Sequence, residues 1–580
     1  MNSPESTENY HHRLRHSAAH IMADCVLELF PGTQIGIGPA IDEGFYYDFK
    51  VSTPFTPDDI NKIERLMKRR VKKRLDFKKE IISKEIALKM FENQPFKTEL
   101  INELPNKTPI SIYSHGQFTD LCEGPHVTNT SEVKHFKLLN AAASYWKGDE
   151  TKDSLQRIYG TAFDTDNDLT LYLERIAEAE KRDHRKLGKQ LDLFMFDTSA
   201  PASPFFLPNG AFIFNQLIQY VRTLYTQYNY SEVITPQIFL SDLWKKSGHF
   251  DNYKENMYFV MDENREFGIK PMNCPSHALI YKSKRHSYRE LPIRLADFGR
   301  LHRLERSGVT HGLTRVRSLT QDDAHFFCTP EQIDKELTDF ISMLESSYKK
   351  FNFSNLEVTL SLRPDKRVGS EEMWNKAENI LEKVLSSSQL NYKSEKGEGA
   401  FYGPKIDFFV PDSIGRKWQL GTIQLDFSMP ERFDLNFIDQ SGNNQRPVMI
   451  HRAMLGSIER FMGILIEHFN GNFPVWLTPI QTIILAIADR HNQESEKIQN
   501  LLQNQGIRTT IDIRSERIGL KIREAQLKKI PYIIIIGDKE IEANKISVRE
   551  RQQGDLGTMN LTNLIEMIHN EENTSELKQD

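Results

Sequence analysis

The sequence predicts an α+β chain of several domains, with a large antiparallel-sheet core between two smaller α/β domains. Three observations lead there. At 580 residues, and roughly 150 per domain, the chain holds about four domains, or three if one is large. Across residues 191–473, strand-like runs (RLADFGRLHRLE, RVRSLTQDDAHFF, KIDFFV, WQLGTIQLDF) occur without regular alternation with helices, the pattern of an antiparallel sheet. Across residues 474–580, short apolar strands do alternate with helices, the pattern of a sheet covered on both faces.

The elements follow in chain order. Residues 1–165 form a first domain of mixed α/β type. A helix over 14–30 stops at Pro31-Gly32, and a Gly-rich strand-like segment, IGIGPAIDEGFYYDF, comes next. A highly charged helix over 58–76 contains MKRRVKKR. It reads either as a solvated face or as a phosphate-facing stripe. Residues 166–190 read as a single linker helix, rich in charge and lacking a wide apolar face, as a domain bridge does. In the last domain, TIILAIAD, TTIDI and PYIIIIG are strands. Helices over 492–503, 519–529 and 561–569 separate or follow them, the first ending at Gly506.

Composition excludes several classes. Hydrophobic residues at 39% and charged residues at 27% are a globular balance, and Gly and Pro are too sparse for a collagenous or linker-rich chain. The longest apolar runs, such as 533–536, fall far short of the ~20 residues of a spanning helix. The N-terminus carries neither an apolar signal core nor an Arg-rich, acid-poor transit pattern. Four cysteines are no disulfide framework in a chain this long, which points to a reducing, cytoplasmic setting. A net charge of −5 does not announce a nucleic-acid binder, but a local basic face is enough for phosphate contacts.

Several residues could carry chemistry. His16 and His20 stand at i, i+4, on one helix face, and LCEGPHV offers Cys122 and His126. The four read as structural side chains, or as a cluster that coordinates zinc or activates water. Cys274, His325 and His451 lie far apart and match no finger spacing. A catalytic zinc does draw three ligands from distant strands and keeps one position open. Cys25 and Cys328 read as packed thiols. Arg303, Arg315, Arg317 and Arg460 read either as ion-pair partners or as a fork array for a triphosphate, which lysines could not match bidentately. No GxxxxGK[ST] loop competes for a nucleotide, and HRLERSG holds no HIGH-like element.

On these residues the chain resembles the bacterial-type threonyl-tRNA synthetases, which are class II aminoacyl-tRNA synthetases. SEVITPQ, with Pro236, resembles motif 1. FGRLHRLERSGVTHGLTRVRSLTQDDAHFF resembles motif 2 and its extension, and HRAMLGSIERFMGILIEH resembles motif 3. KPMNCPSH and YGPKIDF resemble segments particular to the family, and the likeness spans nearly the whole chain.

The resemblance implies a class II antiparallel core, with an editing domain before it and an anticodon-binding domain after it. It implies ligation of threonine to tRNA(Thr) through a threonyl-adenylate, with ATP, Mg²⁺ and one Zn²⁺ per subunit, in a cytoplasmic homodimer. Cys274, His325 and His451 match the zinc ligands. Met272, Asp323, Tyr402 and Gln424 match residues of the amino-acid pocket. Lys405 matches a polar active-site residue, and Gln321 one near the carboxylate and adenylate. Arg303 matches the α-phosphate arginine with Glu305 beside it, and Arg315 and Arg460 match further ATP contacts. Zinc would reject valine, which has no hydroxyl to ligate, but it cannot reject serine. A one-methylene difference is worth only about 1–3 kcal/mol, so a second, hydrolytic site is implied. His16, His20, Cys122 and His126 match that editing cluster, with Tyr47, Lys97 and Asp120 as neighbours. In the threonyl family this cluster positions the seryl ester and water without metal. Arg523, Glu540 and Arg549 match positions that read anticodon bases.

The chain departs from the family pattern at Ser515, Lys529 and PFFLPNGAF, and the usual N-terminal ubiquitin-like domain is expected to be absent. Two rival readings are another class II synthetase, of prolyl or seryl type, and a catalytically inactive synthetase-like RNA-binding regulator. The Cys/His/His set argues against the first. Arg303 and Arg460, both intact, argue against the second.

Overall fold

The computed structural model describes residues 7–105, 108–149, 151–306, 308–388 and 390–574, so the first six residues of the expected first domain lie outside it. The chain forms two compact units, 1–177 and 178–580.

In the first unit, helix Thr7–Leu29 ends just before Pro31, as expected, and packs on an antiparallel sheet. The sheet runs Gln34–Ile35, Gly44–Lys50, Ser154–Phe163, His135–Tyr145, with Ala40–Ile41 paired to Gly44–Lys50. Ala18, Met22, Cys25 and Val26 of the helix bury against Phe45, Phe49 and Ile158 of the sheet. The charged helix runs Pro57–Lys72, with a capping box between Thr56 and Asp59. Ile60, Ile63, Met67 and Val71 recur at helical spacing and are buried. Arg70 pairs at 2.8 Å with Asp24 of the first helix, both side chains largely buried, and Lys68 pairs with Glu64 at 2.8 Å, so part of this charge is used in packing the helix. A smaller antiparallel sheet, Lys78–Ile82, Ile110–His115 and Phe118–Leu121, adjoins helix Pro95–Glu103.

The linker is not one helix. It breaks into Asp166–Arg182 and His184–Gln190. Asp183 leaves the helical region at φ −48°, ψ 117°, and its carboxylate accepts the Arg185 N–H at 2.8 Å. A short acidic side chain competes with the helix for its own backbone and restarts it as an N-cap.

In the second unit the main sheet runs Ser231–Glu232, Ile293–Asp297, Ser318–Cys328, Val448–Ser457, Lys417–Asp426, Lys405–Pro411, Glu357–Ser361, Tyr392–Glu395. Its interior pairs are antiparallel, as the sequence predicts, but the outermost pair at each edge is parallel. Alternation sorts the central strand. Ala324, Phe326 and Cys328 enter the hydrophobic core with helices Ile333–Lys350 and Ile458–His468, while Asp323 and His325 turn to the other face.

The C-terminal sheet is mixed. Thr509–Asp512, Thr482–Ala486 and Tyr532–Ile536 are parallel, and Ile546–Glu550 with Gly554–Met559 adds an antiparallel hairpin. The hairpin and helix Asp538–Ala543 escaped the sequence reading because the last strand is half polar and interrupted by Gly557.

Candidate functional site

The sheet face away from the helical core opens into a cavity of about 120 Å³. Met272, Cys274, Arg303, Gln321, Asp323, His325, Tyr402, Gln424 and His451 line it, all of them singled out in the sequence. Strand register explains the convergence. His325 lies opposite His451, and His451 opposite Gln424, on three adjacent strands. Cys274 arrives from outside the sheet, as the first residue of helix Cys274–Lys282.

Cys274 Sγ and one nitrogen each of His325 and His451 lie within 4.8 Å of one another. His325 Nε2 stands 3.0 Å from His451 Nδ1. The far side of each ring is engaged: His451 Nε2 lies 2.9 Å from Asp426 Oδ2, and His325 Nδ1 lies 2.8 Å from His277 Nδ1. Two rings held from behind, with their bare nitrogens facing a buried sulfur, fit a divalent soft cation such as zinc. Burial drives the Cys274 thiol well above its ordinary range and the His325 imidazolium well below, so the His325 ring is neutral at neutral pH. Asp323 is raised by burial and accepts from Asn273 Nδ2 at 3.1 Å. Tyr402 donates to Gln424 Oε1 at 2.5 Å.

Glu305, Arg315, Lys405 and Arg460 are not part of the cavity wall. Arg315 pairs with Glu305 at 2.9 Å, and Arg317 donates to the Glu305 carbonyl at 2.8 Å. Lys405 lies opposite Gln424 in the sheet and binds Asp407 at 2.6 Å. Arg460 is depressed by burial and then by the positive charge of Arg315.

The sequence reading missed Thr422, Arg452 and Ala453 in the wall, and His249, His277 and Asp426 around the ring nitrogens and thiol. Thr422, Gln424 and Asp426 recur at i, i+2 in TIQLD, a signal that one strand face is polar. His277 ends KPMNCPSH, three residues after Cys274, a spacing that could have drawn notice; nothing local marks His249.

In the first unit, His16, His20, Cys122 and His126 also bring donor atoms within 4.8 Å. Cys122 Sγ is 3.3 Å from both His16 Nε2 and His126 Nε2. Burial lowers His16 to about 4 and His126 to about 2, His126 being lowered further by the charge of His16. Beside them Lys97 pairs with Asp120 at 2.6 Å and donates to Tyr47 at 3.0 Å, while Tyr47 donates to Asp120 at 2.5 Å. All seven residues singled out in this unit therefore meet.

The three C-terminal candidates do not meet by any hydrogen bond or ion pair among the described residues. Arg523 is exposed on helix Ile518–Leu527, Glu540 accepts from Ser547 Oγ at 2.7 Å, and Arg549 pairs with Asp555 at 3.1 Å.

Comparison with known proteins adds an independent line. Residues 258–469 match the tRNA synthetase class II core domain (G, H, P, S and T), residues 481–571 an anticodon binding domain, and residues 110–159 the threonyl and alanyl tRNA synthetase second additional domain. A threonine–tRNA ligase of Acetivibrio thermocellus is 50% identical over 96% of this chain and 89% of its own length. One from Thermotoga petrophila is 49% identical over 98% of this chain and 89% of its own. A solved RNA-binding domain of threonyl-tRNA synthetase from Cryptosporidium parvum superposes with a TM-score of 0.64 at 44% identity, covering 67% of this chain and 98% of that one.

Proposed function

Since this chain belongs to the threonine–tRNA ligase family, we propose that it joins L-threonine to tRNA(Thr) with ATP and hydrolyses mischarged seryl-tRNA(Thr). The observation that carries the reading is the convergence of Cys274, His325 and His451 on one point beneath the cavity that Asp323, Tyr402 and Gln424 line.

Cys274, His325 and His451 would hold a zinc ion, which would supply an electrophilic centre for an amine and a neighbouring hydroxyl, and valine has no such hydroxyl. Asp323 stands in the same wall to accept the hydrogen of the substrate hydroxyl. Arg303 faces the cavity and is the contact for the α-phosphate. Arg315 and Arg460 hold the rest of the triphosphate, with Mg²⁺ carried mainly by the phosphates, and Glu305 fixes Arg315. Gln321 and Lys405 orient the carboxylate end, and Met272 closes the pocket. The threonine carboxylate attacks the α-phosphorus in line, displacing pyrophosphate. The residues contribute position and charge, and none forms a covalent bond to the substrate.

Editing belongs to the first unit. His16, His20, Cys122 and His126, with Tyr47, Lys97 and Asp120, orient the seryl ester and its water, and the His16 and His126 imidazoles, kept neutral by burial, offer lone pairs as hydrogen-bond acceptors. Arg523, Glu540 and Arg549 are the anticodon contacts. We assign residues 1–165 to editing, 166–190 to the linker, 191–473 to catalysis and 474–580 to anticodon binding, and each family match falls inside one span. The resemblance of SEVITPQ to motif 1 is the ground for assigning a homodimer, which would cover Ile234, 92% exposed in that segment. Among the described residues no helix is long and apolar enough to cross a membrane. Kinship to translation enzymes is the ground for placing the protein in the cytoplasm. The inactive-regulator reading is not favoured.

ATP–pyrophosphate exchange with threonine, serine, valine and proline tests the catalytic reading. Exchange should be supported by threonine and more weakly by serine, but not by valine. No exchange with any amino acid would support the regulator, and exchange driven by proline the rival synthetase.

A further inference from the structure

The break in the linker creates a cluster that none of these roles uses. Asp183, His184 and Glu467 bring donor atoms within 4.8 Å of one another, a set with the composition of a metal site. The ring of His184 has no lone pair left for a cation. Its Nδ1 lies 2.5 Å from Glu467 Oε1, where an ionised carboxylate can only accept, so Nδ1 carries the hydrogen. Nε2 is then the bare nitrogen, and it accepts the N–H of Leu313 at 3.0 Å. The other Glu467 oxygen pairs with Arg416 at 2.5 Å.

Leu313 lies with Arg315 in the loop stretch 308–317, and Arg303 and Glu305 lie in 303–306; the Arg303 N–H donates to the Arg317 carbonyl at 2.9 Å, which joins the two stretches. The loop turns at Gly312, φ +48°, where an added Cβ would come within 2.0 Å of His184 Nε2. The Leu313 side chain is fully buried, and an added Cβ on Gly463 would meet its Cβ at 3.1 Å. Gly463 and Glu467 both lie on helix Ile458–His468, which also carries Arg460. One imidazole thus ties the backbone of the loop that bears Arg303 and Arg315 to the helix that bears Arg460.

We propose that His184 is a positioning residue for ATP: it sets the spacing of the arginines on the loop against the arginine on the helix, and it acts by hydrogen bonding, not by binding metal. The proposal rests on the reading of Arg303, Arg315 and Arg460 as ATP contacts.

The test is ATP–pyrophosphate exchange by the full chain, with ATP and threonine varied separately and the melting temperature recorded. His184→Ala leaves the buried Leu313 N–H without a partner and should raise the KM for ATP about 10- to 100-fold, with the KM for threonine near wild type. His184→Gln retains an acceptor and should recover part of that loss. Gly312→Ala, which leaves the imidazole in place but displaces the loop from it, should give the same ATP-selective rise even if His184→Ala folds poorly. Arg303→Ala is the control. If it raises the KM for ATP while His184→Ala and Gly312→Ala do not, the anchor is overturned and the ATP reading stands. If Arg303→Ala also leaves ATP binding unchanged, the ATP reading fails and takes the anchor with it. Equal rises for both substrates with a lowered melting temperature would mean a merely structural role and would overturn the proposal.

Discussion

Asp426 holds His451 from behind: its Oδ2 lies 2.9 Å from His451 Nε2, and the ring's other nitrogen is left facing His325 Nε2 at 3.0 Å. Asp426 is fully buried, so the fold holds its carboxylate behind the ring.

Asp426→Asn should therefore weaken metal binding about 10- to 100-fold, because the amide no longer fixes which ring nitrogen carries the hydrogen. Chelator competition measures it. Wild-type metal retention in the variant would show that Asp426 does not orient the ligand.

Arg315→Ala and Arg460→Ala should each abolish most of the thermal stabilisation that ATP confers. Arg460 is lowered by burial and by the positive charge of Arg315, and an anion bound between them would offset that charge beyond what Glu305 does. Differential scanning fluorimetry across an ATP titration reads this directly, and an unchanged shift in either variant would remove that arginine from the ATP site.

The double change His16→Ala, His20→Ala should let seryl-tRNA accumulate while threonylation persists, since the cluster lies in the other compact unit from the Cys274 site. Deacylation of preformed seryl-tRNA is the assay. Undiminished clearance would move editing elsewhere.

Lys97→Met should lower the stability of the first unit by about 3–5 kcal/mol, because it strands a buried carboxylate. Both side chains of the Lys97–Asp120 pair are 2% exposed. Adding Asp120→Asn should restore part of the loss in a denaturant titration of the full chain. No restoration would mean that the charge of Asp120 is not what the lysine offsets.

Acidification should destabilise the same unit. The folded-state values of His16, about 4, and His126, about 2, lie below the ordinary histidine value of about 6.5. The unfolded chain therefore takes up protons first. The stability is fully present above about pH 6.5 and falls as the pH drops, by up to about 1.4 kcal/mol per unit for each imidazole. Urea titrations from about pH 7 to 5 measure the slope, and a flat profile would contradict neutral, buried rings.

Much of this was legible in the chain itself. The run TQDDAHFF shows by alternation that Asp323 and His325 share a face, and HSAAH puts His16 and His20 on one side of a helix. Helix ends at Pro31 and Gly506 follow from local backbone chemistry. The break at Asp183 was missed because a charge-rich segment of good helix formers gives no warning that one carboxylate will cap the residues after it.

By itself, the order of residues determined which side chains could bind a metal, a triphosphate or an ester, and on which strand or helix each would stand. Only the folded chain decided their supports. Asp426 behind His451, His277 behind His325, and His184 between Glu467 and Leu313 are pairings between segments distant in the sequence. Periodicity speaks for one element at a time, whereas a hydrogen bond between elements depends on sheet register and helix packing, which are settled by burying all the apolar faces together.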